Sequence, residues 1–137
     1  MVMAMRKPFK LSVRAVIRDE NGRWLLLKRS RSSKTNPGKW ELPGDKMDDN
    51  EPFDHALIRE VYEETGLTAT IGHPFGLMES DFIVFKIVHL VMECKIESGQ
   101  VAISDEHEEY AWIDLKEIPV KDLADYMQAF IRDHPPG

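Results

Sequence analysis

The stretch from residue 42 to residue 67 constrains the fold of this chain more than any other part of it. Its first half contains turn formers such as Pro43 and Gly44 and predicts a loop. Its second half predicts a helix, because Pro52 suits a first helical turn and Gly66 suits a C-terminal cap. We therefore expect a loop that runs directly into one helix.

One face of that helix carries carboxylates. Glu60, Glu63 and Glu64 stand at i, i+3 and i+4, so we expect their side chains to converge on one spot. Like charges at this spacing destabilise a bare helix by about 0.2–0.5 kcal/mol per pair. A hard divalent cation such as Mg²⁺, which prefers oxygen ligands, would make the arrangement favourable. The competing interpretation is a solvated charged face, in which Arg59 and Glu63 form an i,i+4 ion pair.

The helix and the residues before it resemble the Nudix box, the signature of the Nudix hydrolase family. Seven residues separate Glu51 from the run Arg59-Glu60-Val61-Tyr62-Glu63-Glu64-Thr65-Gly66-Leu67, and every specified position of the pattern matches from Glu51 onward. One position departs from the pattern, because Asp45 stands where the family has a Gly. Gly is used where a backbone needs positive φ or close approach. We expect Asp45 either to add a carboxylate near the metal or to narrow the loop and weaken catalysis.

The resemblance implies a metal site within the box. Its ligands would be the backbone carbonyl of Gly44 and the carboxylates of Glu60, Glu63 and Glu64. The resemblance also implies that Glu60 acts as the base or orients the attacking water, and that Arg59 holds a neighbouring carboxylate in place. Glu51 would be a supporting carboxylate near the same loop.

The resemblance also covers the flanks of the box, from 40 to 44 and from 106 to 112, and it leaves the catalytic base open. Glu106 is our candidate, with Glu108 and Glu109 as competitors. His107 is a further alternative, because histidine titrates near neutral pH. Arg29, which directly follows a predicted strand, resembles a family position that contacts a phosphate; the competing interpretation is a solvated loop residue.

The order of the predicted elements indicates a mixed α/β fold. Strands are predicted over 11–18, 24–28, 39–42, 68–78, 82–94 and 110–115, and a last helix over about 120–132, ended by Pro135-Pro136-Gly137. Residues 1–10 are predicted to be a frayed start. Asn21-Gly22 predicts a hairpin between the first two strands. The order strands, helix, strands, helix gives a mixed sheet flanked by helices, and the resemblance implies the family's α-β-α sandwich, an α+β arrangement.

Length and composition narrow the classes of function. The 137 residues, 42% of them hydrophobic, predict one domain over 1–137 with a sizeable core. The net charge of −6 argues against a nucleic-acid polymer as partner. Cys94, the only cysteine, excludes an intramolecular disulfide. No apolar run approaches the roughly 20 residues of a membrane span, and no signal region is evident. We therefore expect a cytoplasmic protein, a monomer or homodimer, without a membrane partner.

The resemblance implies a reaction: water attacks a phosphorus of a nucleoside diphosphate derivative with the help of Mg²⁺ or Mn²⁺. Our first expectation is cleavage of a nucleoside triphosphate, including oxidised or non-standard ones, to the monophosphate and pyrophosphate. A second is the same chemistry on ADP-ribose, a nucleotide sugar or a dinucleoside polyphosphate. The alternative from another class is a non-catalytic nucleotide-binding regulator, which Asp45 favours and the intact set of box glutamates opposes.

Overall fold

The structure is a computed structural model that describes residues 7–135. Most of the predicted frayed start, residues 1–6, and Pro136 and Gly137 of the predicted helix stop lie outside the described residues. The described elements are β1 (Phe9–Ile17), β2 (Trp24–Arg29), β3 (Trp40–Glu41), β4 (Gly44–Lys46), α1 (Phe53–Thr65), β5 (Thr68–Asp81), β6 (Lys86–Ser98), β7 (His107–Ile113), a 3₁₀-helix (Val120–Asp122) and α2 (Asp125–Asp133). Neither of the described α-helices combines the length and the apolar character that crossing a membrane requires.

The strands form two sheets. The larger sheet has the order β4-β1-β6-β5, in which β1 runs parallel to β6 and antiparallel to β4. The smaller sheet has the order β3-β2-β7 and is antiparallel throughout. Two α-helices with one mixed and one antiparallel sheet confirm the predicted α+β class.

Alternate residues of β1 face two separate apolar cores. Val13, Ala15 and Ile17 pack with residues of α1, whereas Val16 packs with residues of α2. Because successive side chains of a strand point to opposite faces, the two helices cover opposite faces of the larger sheet. This is the layered arrangement that the resemblance implies. Two polar residues of β1, Ser12 and Arg14, lie in the part of the strand that pairs with β4.

The predicted hairpin between β1 and β2 is wrong. The turn itself is present, and the N–H of Gly22, at a φ of +77°, donates to the carbonyl of Asp19. Beyond the turn, however, the two strands share only the bridge between Arg18 and Trp24 among the described residues. One edge of β1 is paired with β6 along its whole length, and the other pairs with β4 and with the carbonyl of Pro43 from Ser12 to Ala15. Strand β2 pairs with β3 and β7 instead.

The predicted last helix is interrupted. A 3₁₀-helix precedes Leu123 and Ala124, which are extended and fully buried, and α2 follows them. The N–H of Ala124 donates to the carbonyl of Trp40 at 2.8 Å. Burial of Leu123 in the core and this bond to β3 stabilise the extended pair against continuation of the helix.

Candidate active site

A short strand, β4, occupies part of the segment predicted as a loop. It pairs with Ser12–Arg14 of β1. Gly44 has a φ of +131°, and a Cβ at this position would lie 1.9 Å from the carbonyl oxygen of Val13, so only glycine allows this close approach. Asp45 lies opposite Val13 in the extended strand and is not among the described residues of positive φ. The departure from the box pattern therefore causes no backbone strain at this position.

Helix α1 begins after Pro52 and ends at Gly66, as predicted, and it directs two of its three box glutamates inward. Glu60 is 9% exposed and Glu64 is 3% exposed, and they lie one turn apart on the face that packs toward β1 and β4. The side chain of Glu63 is 56% exposed. Glu63 is thus the exposed one of the three, although Nη1 of Arg59 binds both Glu63 and Glu60. Convergence of all three carboxylates on one metal stays a prediction.

Arg59 holds several carboxylates at once. Its Nε and Nη2 donate to the two carboxylate oxygens of Glu51 at 2.7 and 2.8 Å. Its Nη1 donates to Glu60 at 2.8 Å and to Glu63 at 3.1 Å. The hydrogen bond from Arg59 lowers the pKa of Glu51 below its usual value. Arg59 therefore binds three neighbouring carboxylates, and the roles of Arg59 and Glu51 in the site stay predictions.

A different set of three carboxylates meets in space. Asp45 of β4, Glu64 of α1 and Glu106, the residue before β7, each place an oxygen within 4.8 Å of the others. We call these three residues the carboxylate cluster. Glu64 is its buried member and accepts a hydrogen bond from the N–H of Gly44 at 2.9 Å, whereas Glu106 is exposed. The cluster joins a residue of the box, the residue that departs from the box and the predicted base outside it.

The glutamates near the cluster are in surroundings that disfavour their charged form. Burial raises the pKa of Glu64 well above its ordinary value, and Asp45 raises it further, while Arg14 and the N–H of Gly44 lower it. Burial also raises the pKa of Glu60; the hydrogen bond from Arg59 opposes this, and Asp45 adds to it. Both groups would therefore be stabilised in their charged form by a nearby cation.

The residues present fit a hard divalent cation. Mg²⁺ and Mn²⁺ take carboxylate and carbonyl oxygens, and the carboxylate cluster offers such oxygens from three separate elements. The backbone of Gly44 lies beside the cluster, because its N–H donates to Glu64 at 2.9 Å. Its carbonyl accepts a hydrogen bond from Arg14 at 2.7 Å, and a carbonyl oxygen has a second lone pair for another partner.

A buried ion network that sequence reasoning missed lies beside the cluster. Arg14 is 6% exposed, and its Nη1 donates to the carboxylate of Glu41 at 3.3 Å and to the carbonyl of Leu42 at 3.0 Å. Burial alone would raise the pKa of Glu41, but Arg14 and the hydrogen bond from His107 hold it below its usual value. An arginine between Val13 and Ala15 in an apolar strand was the one signal in the sequence that could have indicated this centre.

Arg29 lines a pocket of about 430 Å³, a volume suited to a small ligand. Its Nη1 donates to Glu41 at 2.9 Å and its Nε to the carbonyl of Thr35 at 2.9 Å. Asp45 and Glu106 line the same pocket. The structure thus brings Arg29 into one pocket with two members of the carboxylate cluster.

The competing base candidates lie elsewhere. The carboxylate of Glu108 accepts the N–H of Arg31 at 2.9 Å, and Glu109 pairs with Lys28 across β7 and β2. The side chain of His107 is 1% exposed, and its Nε2 lies 2.8 Å from the carboxylate of Glu41, so it presents almost no surface to a substrate. Of these predicted candidates, Glu106 is the one that joins the carboxylate cluster.

Comparisons with known proteins give matches that span most of the chain. The sequence model of the NUDIX domain family matches residues 8–134. A MutT-like protein from Streptomyces ambofaciens is 32% identical over 108 residues, which cover 79% of this chain and 66% of that protein. Nucleoside triphosphatase NudI from Salmonella agona (strain SL483) is 28% identical over 114 residues, covering 75% and 81%. The crystal structure of the MutT protein from Methanosarcina mazei Go1 has a TM-score of 0.82 and 35% identity, and the match covers 97% of this chain and 100% of that one.

Proposed function

We propose a function from one premise: this chain belongs to the NUDIX domain family and is a hydrolase of phosphorus-containing anhydrides. In this proposal it cleaves a nucleoside triphosphate, including oxidised or non-standard ones, to the monophosphate and pyrophosphate. The observation that carries the proposal is the meeting of Asp45, Glu64 and Glu106 beside a pocket of suitable size. Three anionic oxygens within 4.8 Å are favourable when a divalent cation lies among them.

The cation in this proposal is Mg²⁺ or Mn²⁺. When bound, it neutralises phosphate charge and lowers the pKa of a coordinated water. Asp45 and Glu64 would hold it, with the carbonyl of Gly44 close by. Glu106, the exposed member of the cluster, would accept the proton of the attacking water, and Glu60 would orient that water from the inward face of α1. Glu63 remains a ligand that the resemblance implies.

The substrate is proposed from the pocket and from the relatives together. Arg29 would contact a phosphate, since it lines the same pocket as the carboxylates. The names of the relatives, MutT-like protein and nucleoside triphosphatase NudI, support a triphosphate. The proposal also includes a small-molecule partner, a single domain over 1–137, a cytoplasmic location, and a monomeric or homodimeric state.

Asp45 does not favour the alternative of a non-catalytic nucleotide-binding regulator. Asp45 lies in an extended strand and adds its carboxylate to the cluster, so its presence does not argue for a disabled site. The first of the two expectations for Asp45, a carboxylate near the metal, is therefore the one we propose.

A substrate screen tests the function. The purified chain is incubated with nucleoside triphosphates, their oxidised forms, ADP-ribose, nucleotide sugars and dinucleoside polyphosphates in the presence of Mg²⁺. We expect monophosphate and pyrophosphate from a triphosphate. Turnover of ADP-ribose or a nucleotide sugar alone would contradict the triphosphate assignment, and binding of nucleotides without any turnover would support the regulator.

A pair of substitutions tests the role of Asp45. Asp45→Gly restores the family's residue, and Asp45→Asn keeps the shape of the side chain while removing its charge. If Asp45 is a ligand, both weaken Mn²⁺ binding by about 10-fold or more, the range seen when groups at a metal site are removed. Unchanged Mn²⁺ affinity with faster turnover in Asp45→Gly would show instead that Asp45 narrows the site.

A further inference from the structure

A line of buried polar side chains crosses the larger sheet on the face that carries the pocket. Arg14 of β1, His89 of β6 and Ser80 of β5 are 6%, 1% and 3% exposed. The Nε of Arg14 lies 3.3 Å from Nδ1 of His89, and Nε2 of His89 lies 2.9 Å from the hydroxyl of Ser80. That hydroxyl lies 3.0 Å from the carboxylate of Asp125, the first residue of α2. We call these four residues the relay.

The hydrogen bonds of the relay run in one direction. A guanidinium can only donate, so Nδ1 of His89 accepts from Arg14. The imidazole is neutral, because burial and the neighbouring Arg14 lower the pKa of His89 to about 3. Its one proton is therefore on Nε2, which donates to Ser80, and Ser80 in turn donates to Asp125. Hydrogen bonds are therefore donated in sequence from Arg14 to His89, from His89 to Ser80 and from Ser80 to Asp125.

One end of the relay is attached to a loop that lines the pocket. Nδ2 of Asn36 donates to the carboxylate of Asp125 at 3.2 Å, and the N–H of Asp125 donates back to the amide oxygen of Asn36 at 3.1 Å. Asn36 belongs to the segment between β2 and β3 and has a φ of +47°. The reciprocal pair therefore ties this segment to the start of α2.

The other end of the relay reaches the carboxylate cluster. Nη1 of Arg14 donates to the carbonyl of Gly44 at 2.7 Å, and the N–H of the same glycine donates to Glu64 at 2.9 Å. Gly44 therefore lies between the guanidinium and the buried member of the cluster. A change in the position of Arg14 would move the backbone that orients Glu64.

We propose that His89 and Ser80 are positioning residues for the carboxylate cluster. They hold the guanidinium of Arg14 against Gly44 and connect it to the pocket loop through Asp125 and Asn36. This inference rests on the proposed function, because it assumes that the cluster binds a divalent cation. The position of the loop at Asn36 is then coupled to the position of the Gly44 backbone. Neither His89 nor Ser80 belongs to the cluster.

The chain offers a matched control for Ser80. Ser12 is a second buried serine of the same pocket, 1% exposed, and its hydroxyl has no hydrogen-bond partner among the described residues. Ser80→Ala and Ser12→Ala therefore remove the same atom from the same pocket, and only the first interrupts the relay.

The experiment uses the full chain and Mn²⁺ alone as the probe, with affinity measured by electron paramagnetic resonance. We expect Ser80→Ala to weaken Mn²⁺ binding by about 10-fold, as observed for groups that orient metal ligands, and Ser12→Ala to leave it unchanged. His89→Leu should behave like Ser80→Ala. His89→Gln should retain affinity close to that of the parent, because an amide supplies one acceptor and one donor. Asn36→Gly, which keeps the positive φ, should weaken binding by a smaller factor.

The outcomes separate this inference from the function on which it rests. Equal Mn²⁺ affinity in Ser80→Ala, Ser12→Ala and the parent would contradict the relay while leaving the function intact. Equal losses in His89→Gln and His89→Leu would also contradict it. A parent chain that binds no Mn²⁺ would contradict the proposed function, and the inference with it. Thermal unfolding of each variant shows whether the loss of Mn²⁺ binding merely follows a loss of fold.

Discussion

Two polar centres lie side by side in this molecule, and they differ in how their charges are balanced. In the buried network, Glu41 accepts from Arg14, Arg29 and His107, so its carboxylate is fully paired. In the carboxylate cluster, groups of one sign meet within 4.8 Å. Breaking a buried ion pair leaves an uncompensated buried charge, whereas in our proposal a divalent cation balances the like charges of the cluster. We therefore expect substitutions in the buried network to lower stability and substitutions in the cluster to lower metal binding.

The largest effect is expected from Glu64→Gln. Removing the buried charge of the cluster should lower turnover by about 1000-fold, or about 4 kcal/mol of barrier, because one oxygen ligand of the cation is weakened. The free energy of unfolding without metal should not fall, since burial already disfavours the charged form of Glu64. Steady-state kinetics and urea unfolding check both parts. Turnover equal to that of the parent would contradict the assignment of Glu64 as a ligand of the cation.

A loss of stability is expected when the paired centre is broken. Arg14→Met leaves Glu41 buried with fewer partners and should lower the free energy of unfolding by about 3 kcal/mol. Arg18→Met is the matched control. Arg18 pairs with Glu93 at the surface and lies over the ring of Trp24, so its loss should cost less than about 1 kcal/mol. Equal losses in the two variants, measured by urea unfolding, would show that burial of the pair does not matter.

His89 gives the comparison a pH dependence. In the folded chain it faces Arg14, Tyr126 and Ser80, and burial and Arg14 lower its pKa to about 3 from 6.5. The unfolded chain therefore binds a proton that the folded chain does not, so stability falls as the pH drops below 6.5. Relative to His89→Gln, the parent should lose about 1.5 kcal/mol between pH 6.5 and pH 5. Parallel stability curves for the two proteins would contradict a neutral, buried histidine.

The smallest effect on stability is expected from Glu63, at the exposed edge of the site. Glu63→Gln should change the free energy of unfolding by less than about 0.5 kcal/mol, because its bond to Arg59 is an exposed i,i+4 pair. The turnover of Glu63→Gln decides whether Glu63 is a metal ligand. The resemblance predicts a loss comparable to that of Glu64→Gln, and parent-like turnover would remove Glu63 from the ligand set.

Local signals in the sequence predicted local structure well. Helix α1 lies where Pro52 and Gly66 predicted it, because a fixed proline φ and a left-handed glycine act within one turn. The hairpin at Asn21-Gly22 failed, and β1 pairs with β4 and β6 whereas β2 pairs with β3 and β7. That pairing depends on residues far away in the sequence, which turn chemistry does not report.

The site was predictable only in part, for a similar reason. Glu64 was named through the resemblance and Glu106 as our candidate for the base that it leaves open. Spacing on a helix could not show that Glu63 is exposed, and no motif places Asp45 beside Glu64. Arg14, Glu41 and His89 share no motif, and they meet because three separate strands bring them together. Such a centre becomes visible only once the register of the strands is known.

The most direct test of the account is a crystal of this chain soaked with Mn²⁺ and measured at a wavelength where manganese scatters anomalously. We expect one strong anomalous peak among the carboxylate oxygens of Asp45, Glu64 and Glu106. A peak bound only by Glu60 and Glu63, or no peak at a Mn²⁺ concentration that supports turnover, would contradict the claim that this cluster is the metal site.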